Sequence, residues 1–114
     1  MNYKEERPWG WFEILYEEAN LKVKRIMVKP GKRLSLQSHE RRAENWVIVQ
    51  GKGLFTLDDR TFDLEPQQSV FIPKKSRHRM ENPGRDELVF IEVQTGIYLG
   101  EDDITRFQDD FDRC

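Results

Sequence analysis

The chain contains two histidines, His39 and His78. The first stands in Leu36-Gln37-Ser38-His39-Glu40-Arg41-Arg42-Ala43-Glu44 and the second in Pro73-Lys74-Lys75-Ser76-Arg77-His78-Arg79-Met80-Glu81-Asn82. Side chains two apart in a strand point to one face, so Gln37 and His39 aim at a common place while Leu36 and Ser38 face away. A turn through Glu40 to Ala43 lets Glu44 approach that place from the next strand. Two imidazoles, a carboxylate and an amide oxygen form a mixed nitrogen and oxygen donor set, suited to a borderline divalent ion. Zinc is the first choice, with manganese, iron, cobalt and nickel as alternatives. Gln37, His39, Glu44 and His78 are the candidate metal ligands, and a six-coordinate ion so held keeps positions open for substrate or water. A lone histidine is more often an ordinary core or surface residue; it is the spacing that favours a ligand here.

Donors so far apart in sequence need a sheet to bring them together. Alternation of apolar and polar residues predicts strands over 11–17, 21–28, 35–39, 45–49, 54–57, 61–64, 69–72, 78–81 and 88–94. Turn chemistry separates them, as at Lys29-Pro30-Gly31, Gln50-Gly51-Lys52-Gly53 and Asn82-Pro83-Gly84. Short strands at close spacing imply an all-β sandwich or barrel. The most apolar run, 88–94, contains Glu92 and Gln94 on one face, and a glutamate there needs a reason. In the acidic tail, Asp103 is placed to cap a short helix starting at Ile104. Trp9, Trp11 and Trp46 read as packing residues, with Trp46 close to the predicted pocket.

At 114 residues the chain is one domain over 1–114, with room for a single core and no separate catalytic module. The 19 Lys and Arg nearly cancel the 21 Asp and Glu, so no field selects nucleic acid or a membrane surface. The only cysteine is Cys114, which excludes an internal disulfide framework and fits a reducing compartment. No run approaches a membrane span and the N-terminus is polar, so a cytoplasmic location is expected.

Gly31, Gln37, His39, Glu44 and Gly51 fall on the positions of the first cupin motif, with Gln37 where its first histidine usually stands. Pro73, His78 and Asn82 fall on the second, while Gln67 and Lys75 replace its glycines. A narrower resemblance runs from Arg7 to Arg113. Arg7-Pro8-Trp9-Gly10, Leu34-Ser35-Leu36-Gln37, Arg42-Ala43-Glu44, Glu81-Asn82-Pro83-Gly84, Ile91-Glu92-Val93-Gln94 and Tyr98-Leu99-Gly100-Glu101-Asp102-Asp103-Ile104 resemble the cupin domain of type II mannose-6-phosphate isomerases. In that family the domain is often fused behind a mannose-1-phosphate guanylyltransferase, whose Gly-rich nucleotide loop has no counterpart here.

The resemblance implies a double-stranded β-helix, the cupin jelly-roll barrel, with a short C-terminal helix and a metal held by Gln37, His39, Glu44 and His78. It implies a metal-dependent enzyme of carbohydrate metabolism that interconverts mannose 6-phosphate and fructose 6-phosphate through a cis-enediolate. A base must carry a proton between C2 and C1. Glu101 is preferred for that role over Asp102 and Asp103, against the plainer reading of all three as a solvated acidic cap. Arg106 is similar to an arginine regarded as functional in the family, serving the phosphate or the enediolate, and an exposed salt bridge is its plainer reading. Arg42, Lys24 and Arg25 are candidates for the phosphate. Homodimerisation is expected by family alone.

Departures touch the substrate more than the ion. Asn45, Glu40 and Arg41 stand where the family often has histidine, and Phe111-Asp112 replaces Tyr-Gly. Two other readings follow, a non-catalytic sugar-phosphate or nucleotide-sugar binding cupin and another metal-dependent cupin enzyme such as a dioxygenase.

Overall fold

The computed structural model describes residues 3–111. Asp112, Arg113 and Cys114 lie outside them, as do the expectations placed on Asp112 and on the thiol. Among the described residues eleven strands follow in chain order: β1 Tyr3–Arg7, β2 Gly10–Glu17, β3 Leu21–Val28, β4 Leu36–Ser38, β5 Arg42–Gln50, β6 Gly53–Leu57, β7 Arg60–Leu64, β8 Ser69–Ile72, β9 His78–Glu81, β10 Leu88–Gly96 and β11 Thr105–Gln108. They form a six-stranded sheet ordered β1-β2-β3-β10-β5-β8 and a five-stranded sheet ordered β11-β4-β9-β6-β7. Every pairing is antiparallel. The core joins both sheets: Trp46 packs edge-on against Phe55 of β6 and stacks on Phe90 of β10.

Register on the larger sheet explains how a core and a polar site share one face. Side chains that alternate inward form rungs across the strands. The first rung is Lys22, Gln94, Glu44 and Ile72, and the second is Ile14, Lys24, Glu92, Trp46 and Val70. The third is Phe12, Ile26, Phe90 and Ile48, and the last joins Val28 to Leu88. Polarity therefore falls along the strands, from two rungs bearing charge to two that are wholly apolar. Lys22, Lys24, Glu44, Glu92 and Gln94 are all buried. Charged groups are rarely buried without partners or a function, so the polar rungs mark the site.

Two local features bear on the motif positions. Gly51 turns the chain from β5 into β6 at φ +81°, and a Cβ there would lie 2.5 Å from the Glu87 carbonyl oxygen. Gln67 and Lys75, which replace the glycines of the second motif, adopt φ of 76° and 71°. The backbone keeps the left-handed geometry even where glycine is absent, at about 1–2 kcal/mol per residue. In return, the Lys75 amide donates to the His39 carbonyl at 2.7 Å and so fixes the loop that carries the imidazole.

The expected helix from Ile104 is absent; that segment is β11, paired with β4 along the edge of the smaller sheet. Thr105 to Gln108 is too short to repay helix nucleation, while the free edge of β4 offers ready backbone partners. No helix among the described residues is long and apolar enough to cross a membrane.

Candidate metal centre and cavity

Four elements converge on the polar rungs. Gln37 lies on β4, directly opposite His78 of β9 and Arg106 of β11 in register. His39 follows β4, and Glu44 points inward from β5. One donor atom each from His39, Glu44 and His78 lies within 4.8 Å of the others, and all three residues are buried. The two imidazole centroids are 5.1 Å apart.

Each ring is oriented by its Nδ1. That of His39 lies 2.7 Å from the Asp103 carbonyl oxygen, and that of His78 lies 3.0 Å from the Ser76 carbonyl oxygen. A carbonyl only accepts, so both Nδ1 atoms carry the proton and both Nε2 atoms bear lone pairs, that of His39 accepting from Arg42 Nη2 at 3.3 Å. His78 Nε2 is buried without a hydrogen-bond partner among the described residues. Such an orphan is costly in a dry interior, and a cation shared with His39 and Glu44 would satisfy it. The donor set thus fits a divalent ion. Gln37 donates its amide nitrogen to the Ser35 hydroxyl at 3.1 Å, which leaves its carbonyl oxygen to serve the same cavity.

Glu44 is held from both sides. Its Oε2 accepts from Arg42 Nε at 2.7 Å and its Oε1 accepts from Trp46 Nε1 at 2.7 Å. Burial raises its pKa, yet the Arg42 guanidinium, with smaller help from His39, His78 and the Trp46 N–H, more than offsets this and holds the carboxyl at about 2. Burial, opposed by Glu44 and reinforced by Arg42, brings His39 down to about 4, and burial lowers His78 as well. The cluster is therefore deprotonated at neutral pH, as ion binding requires.

These imidazoles make the ion-free protein sensitive to acid. The unfolded chain takes up protons near pH 6.5, whereas folded His39 resists until about 4. Between those values the unfolded state binds more protons, so stability is fully present above pH 6.5 and declines as pH falls toward 4. A loss on the order of 2–3 kcal/mol is expected. Urea unfolding of chelator-treated protein at pH 7, 6 and 5 measures it, and a flat profile contradicts the assignment of neutral buried rings.

A cavity of about 190 Å³ opens beside the cluster. Gln37, His39 and Glu44 line it, as do Lys24, Arg42, Glu92, Glu101 and Arg106. His78 is not part of its lining, so the donor cluster runs from the cavity wall into the core. Lys24 Nζ is bonded to Glu101 Oε1 at 2.5 Å and lies 4.4 Å above the Phe12 ring. Burial raises the Glu101 pKa, but Lys24 and then Lys22 lower it further, so this carboxyl is ionised.

Arg25 is not brought to the cavity. It follows Lys24 on β3, so strand alternation sends it to the outer face, where it pairs with Glu13 at 3.3 Å. Asp102 accepts a hydrogen bond from the exposed Tyr98 hydroxyl and does not line the cavity. Asp103 caps no helix. Its carboxylate accepts the backbone N–H groups of Glu40 and Arg41, each at 3.0 Å, and its carbonyl receives the His39 ring.

Glu92 and Arg7 also line the cavity, although sequence reasoning gave them no role. Burial, followed by repulsion from Glu44, pushes the Glu92 pKa up to about 8. Its presence inside an apolar run was the available signal. The missing information was that β10 occupies the middle of the sheet.

Two antiparallel sheets packed around a buried imidazole and carboxylate cluster define a cupin. Residues 1–109 match the family described as mannose-6-phosphate isomerase C-terminal. The chain belongs to that family. It is 51% identical over 107 residues to the alginate biosynthesis protein AlgA of Pseudomonas aeruginosa, covering 94% of this chain and 22% of that protein. It is 47% identical over 108 residues to a mannose-1-phosphate guanylyltransferase of Klebsiella pneumoniae, covering 95% of this chain and 23% of the relative. The chain thus spans less than a quarter of the length of these relatives. Among solved structures, the capsular polysaccharide assembling protein CapF from Staphylococcus aureus superimposes with a TM-score of 0.81 at 20% identity, over 95% of this chain and 34% of that one.

Proposed function

We propose that this chain is a metal-dependent isomerase interconverting mannose 6-phosphate and fructose 6-phosphate. The observation that carries this reading is the unpartnered His78 Nε2, clustered with two donors on the wall of a cavity that also presents an ionised carboxylate and cationic groups. His39, Glu44 and His78 would hold the ion, with Gln37 as the fourth ligand and zinc the first choice. When bound, a divalent ion supplies a Lewis acid for the sugar's C1 and C2 oxygens.

The remaining work falls to side chains. Glu101, kept ionised by Lys24, takes the C2 proton and returns it to C1. Arg106 meets the phosphate or the charge that develops on the sugar oxygens. Arg42 is engaged by Glu44, so its first task is to orient that carboxylate; Lys24, already bound to Glu101, adds a positive charge at the wall.

The test is to incubate zinc-loaded protein with fructose 6-phosphate and follow mannose 6-phosphate by a coupled assay. Glu101→Gln is expected to lower kcat by about 10²- to 10⁴-fold with unchanged ion content. Stabilisation by the sugar phosphate without product would instead indicate a binding module and end the isomerase reading.

A further inference from the structure

An aldose–ketose interconversion moves two protons. One travels between C2 and C1, the other between O2 and O1. Glu101 accounts only for the first.

Three carboxyls line the cavity, Glu44, Glu92 and Glu101, and two of the cations beside them are already committed. Arg42 bonds Glu44 at 2.7 Å, and Lys24 bonds Glu101 at 2.5 Å. Glu92 is the carboxyl left over. It is 5% exposed, lies between Lys24 and Trp46 on its rung, and lines the same cavity as Gln37, His39 and Glu44. The Gln94 amide on the neighbouring rung donates to Glu92 Oε1, which leaves Oε2 to serve the cavity. A buried carboxyl without a cation of its own is the one that keeps a proton. Two carboxyls in one cavity, one ionised by a lysine and one left neutral, are suited to complementary proton transfers.

We propose that Glu92 is a second catalytic residue, carrying the oxygen-bound proton between O2 and O1 of the open-chain sugar while Glu101 carries the carbon-bound one. In the aldose-to-ketose direction, Glu101 takes the C2 proton and the freed electron pair forms the C1–C2 double bond. The C1 carbonyl pair moves to O1, which takes a proton from Glu92. Glu92, now a carboxylate, accepts the O2 proton as the C2 carbonyl forms. C1 then receives the proton held by Glu101, and both side chains regain their starting states.

The proposal rests on the isomerase reading, and the experiment separates the two. Isomerisation and loss of the C2 label to water are measured together with 2-deuterated mannose 6-phosphate. Glu92→Gln is expected to slow isomerisation by about 100-fold or more, in the range of a lost proton carrier. Label loss should fall far less, so the ratio of exchange to isomerisation rises by at least about tenfold. In Glu101→Gln both rates fall together. Ion content and melting curves of Glu92→Gln establish that the site is intact; should this variant not fold, Glu92→Asp is expected to raise the same ratio more modestly. An unchanged ratio in the folded variant overturns the proposal. Absence of both turnover and exchange in the unmodified protein removes the isomerase reading and this proposal with it.

Discussion

Replacing His78 by leucine is expected to remove ion binding and, with it, the proposed isomerase turnover, while the strands remain in place. Leucine comes close to the volume of the imidazole and so keeps the contact with Trp46, whose ring centroid lies 5.4 Å away. It has no lone pair to replace the orphaned Nε2. Changing a group that merely orients a ligand typically weakens metal affinity by about 10- to 100-fold, so losing a ligand should exceed that range. Titration of chelator-treated protein with zinc, alongside the same variant's melting curve, tests the claim. Zinc affinity within a few-fold of the parent would mean that His78 is only a core residue.

Glu44→Ala should have the largest effect on stability, even in ion-free protein. The carboxylate is 1% exposed and accepts from Arg42 Nε and Trp46 Nε1. Alanine leaves the Arg42 guanidinium buried beside a neutral wall, and breaking a buried pair in this way costs about 3–5 kcal/mol. The stranded indole N–H adds about 1–3 kcal/mol. Together these approach the whole stability of a small domain, commonly about 5–15 kcal/mol. Urea unfolding of chelator-treated protein measures the loss. Glu44→Gln should lose less, because an amide oxygen still receives the indole; equal losses would place the cost elsewhere than the hydrogen bonds.

The contrast between these substitutions separates what periodicity reveals from what only the fold supplies. Gln37 and His39 could be assigned to one face because a strand's period is two, and the pairing of Gln37 with His78 agrees. The same period argued against using Lys24 and Arg25 together; one faces the cavity and its neighbour faces Glu13. The strands over 21–28, 69–72 and 78–81 were legible because alternation and flanking turns bound them closely. β1 and β11 lacked that signal. Both are edge strands of exposed or half-buried residues, held by the neighbour that sheet topology provides. Asp103 illustrates the same limit: an acidic residue before a short amphipathic stretch suits a helix cap, yet its partners lie more than sixty residues earlier. Glu92 was conspicuous in sequence, but its relation to Lys24 and Trp46 depends on β10 lying between β3 and β5. No local rule orders strands that meet only after the chain has wound twice across the barrel.

The grading of the inner face from charged rungs to apolar ones has a consequence for how such a protein diversifies. Lys22, Lys24, Glu92 and Gln94 each occupy one site on a lattice already anchored by Ile26, Ile48, Leu88 and Phe90. New specificity can be explored at one end of the barrel while the other end keeps the chain folded, provided that each change preserves the pairing of buried charge.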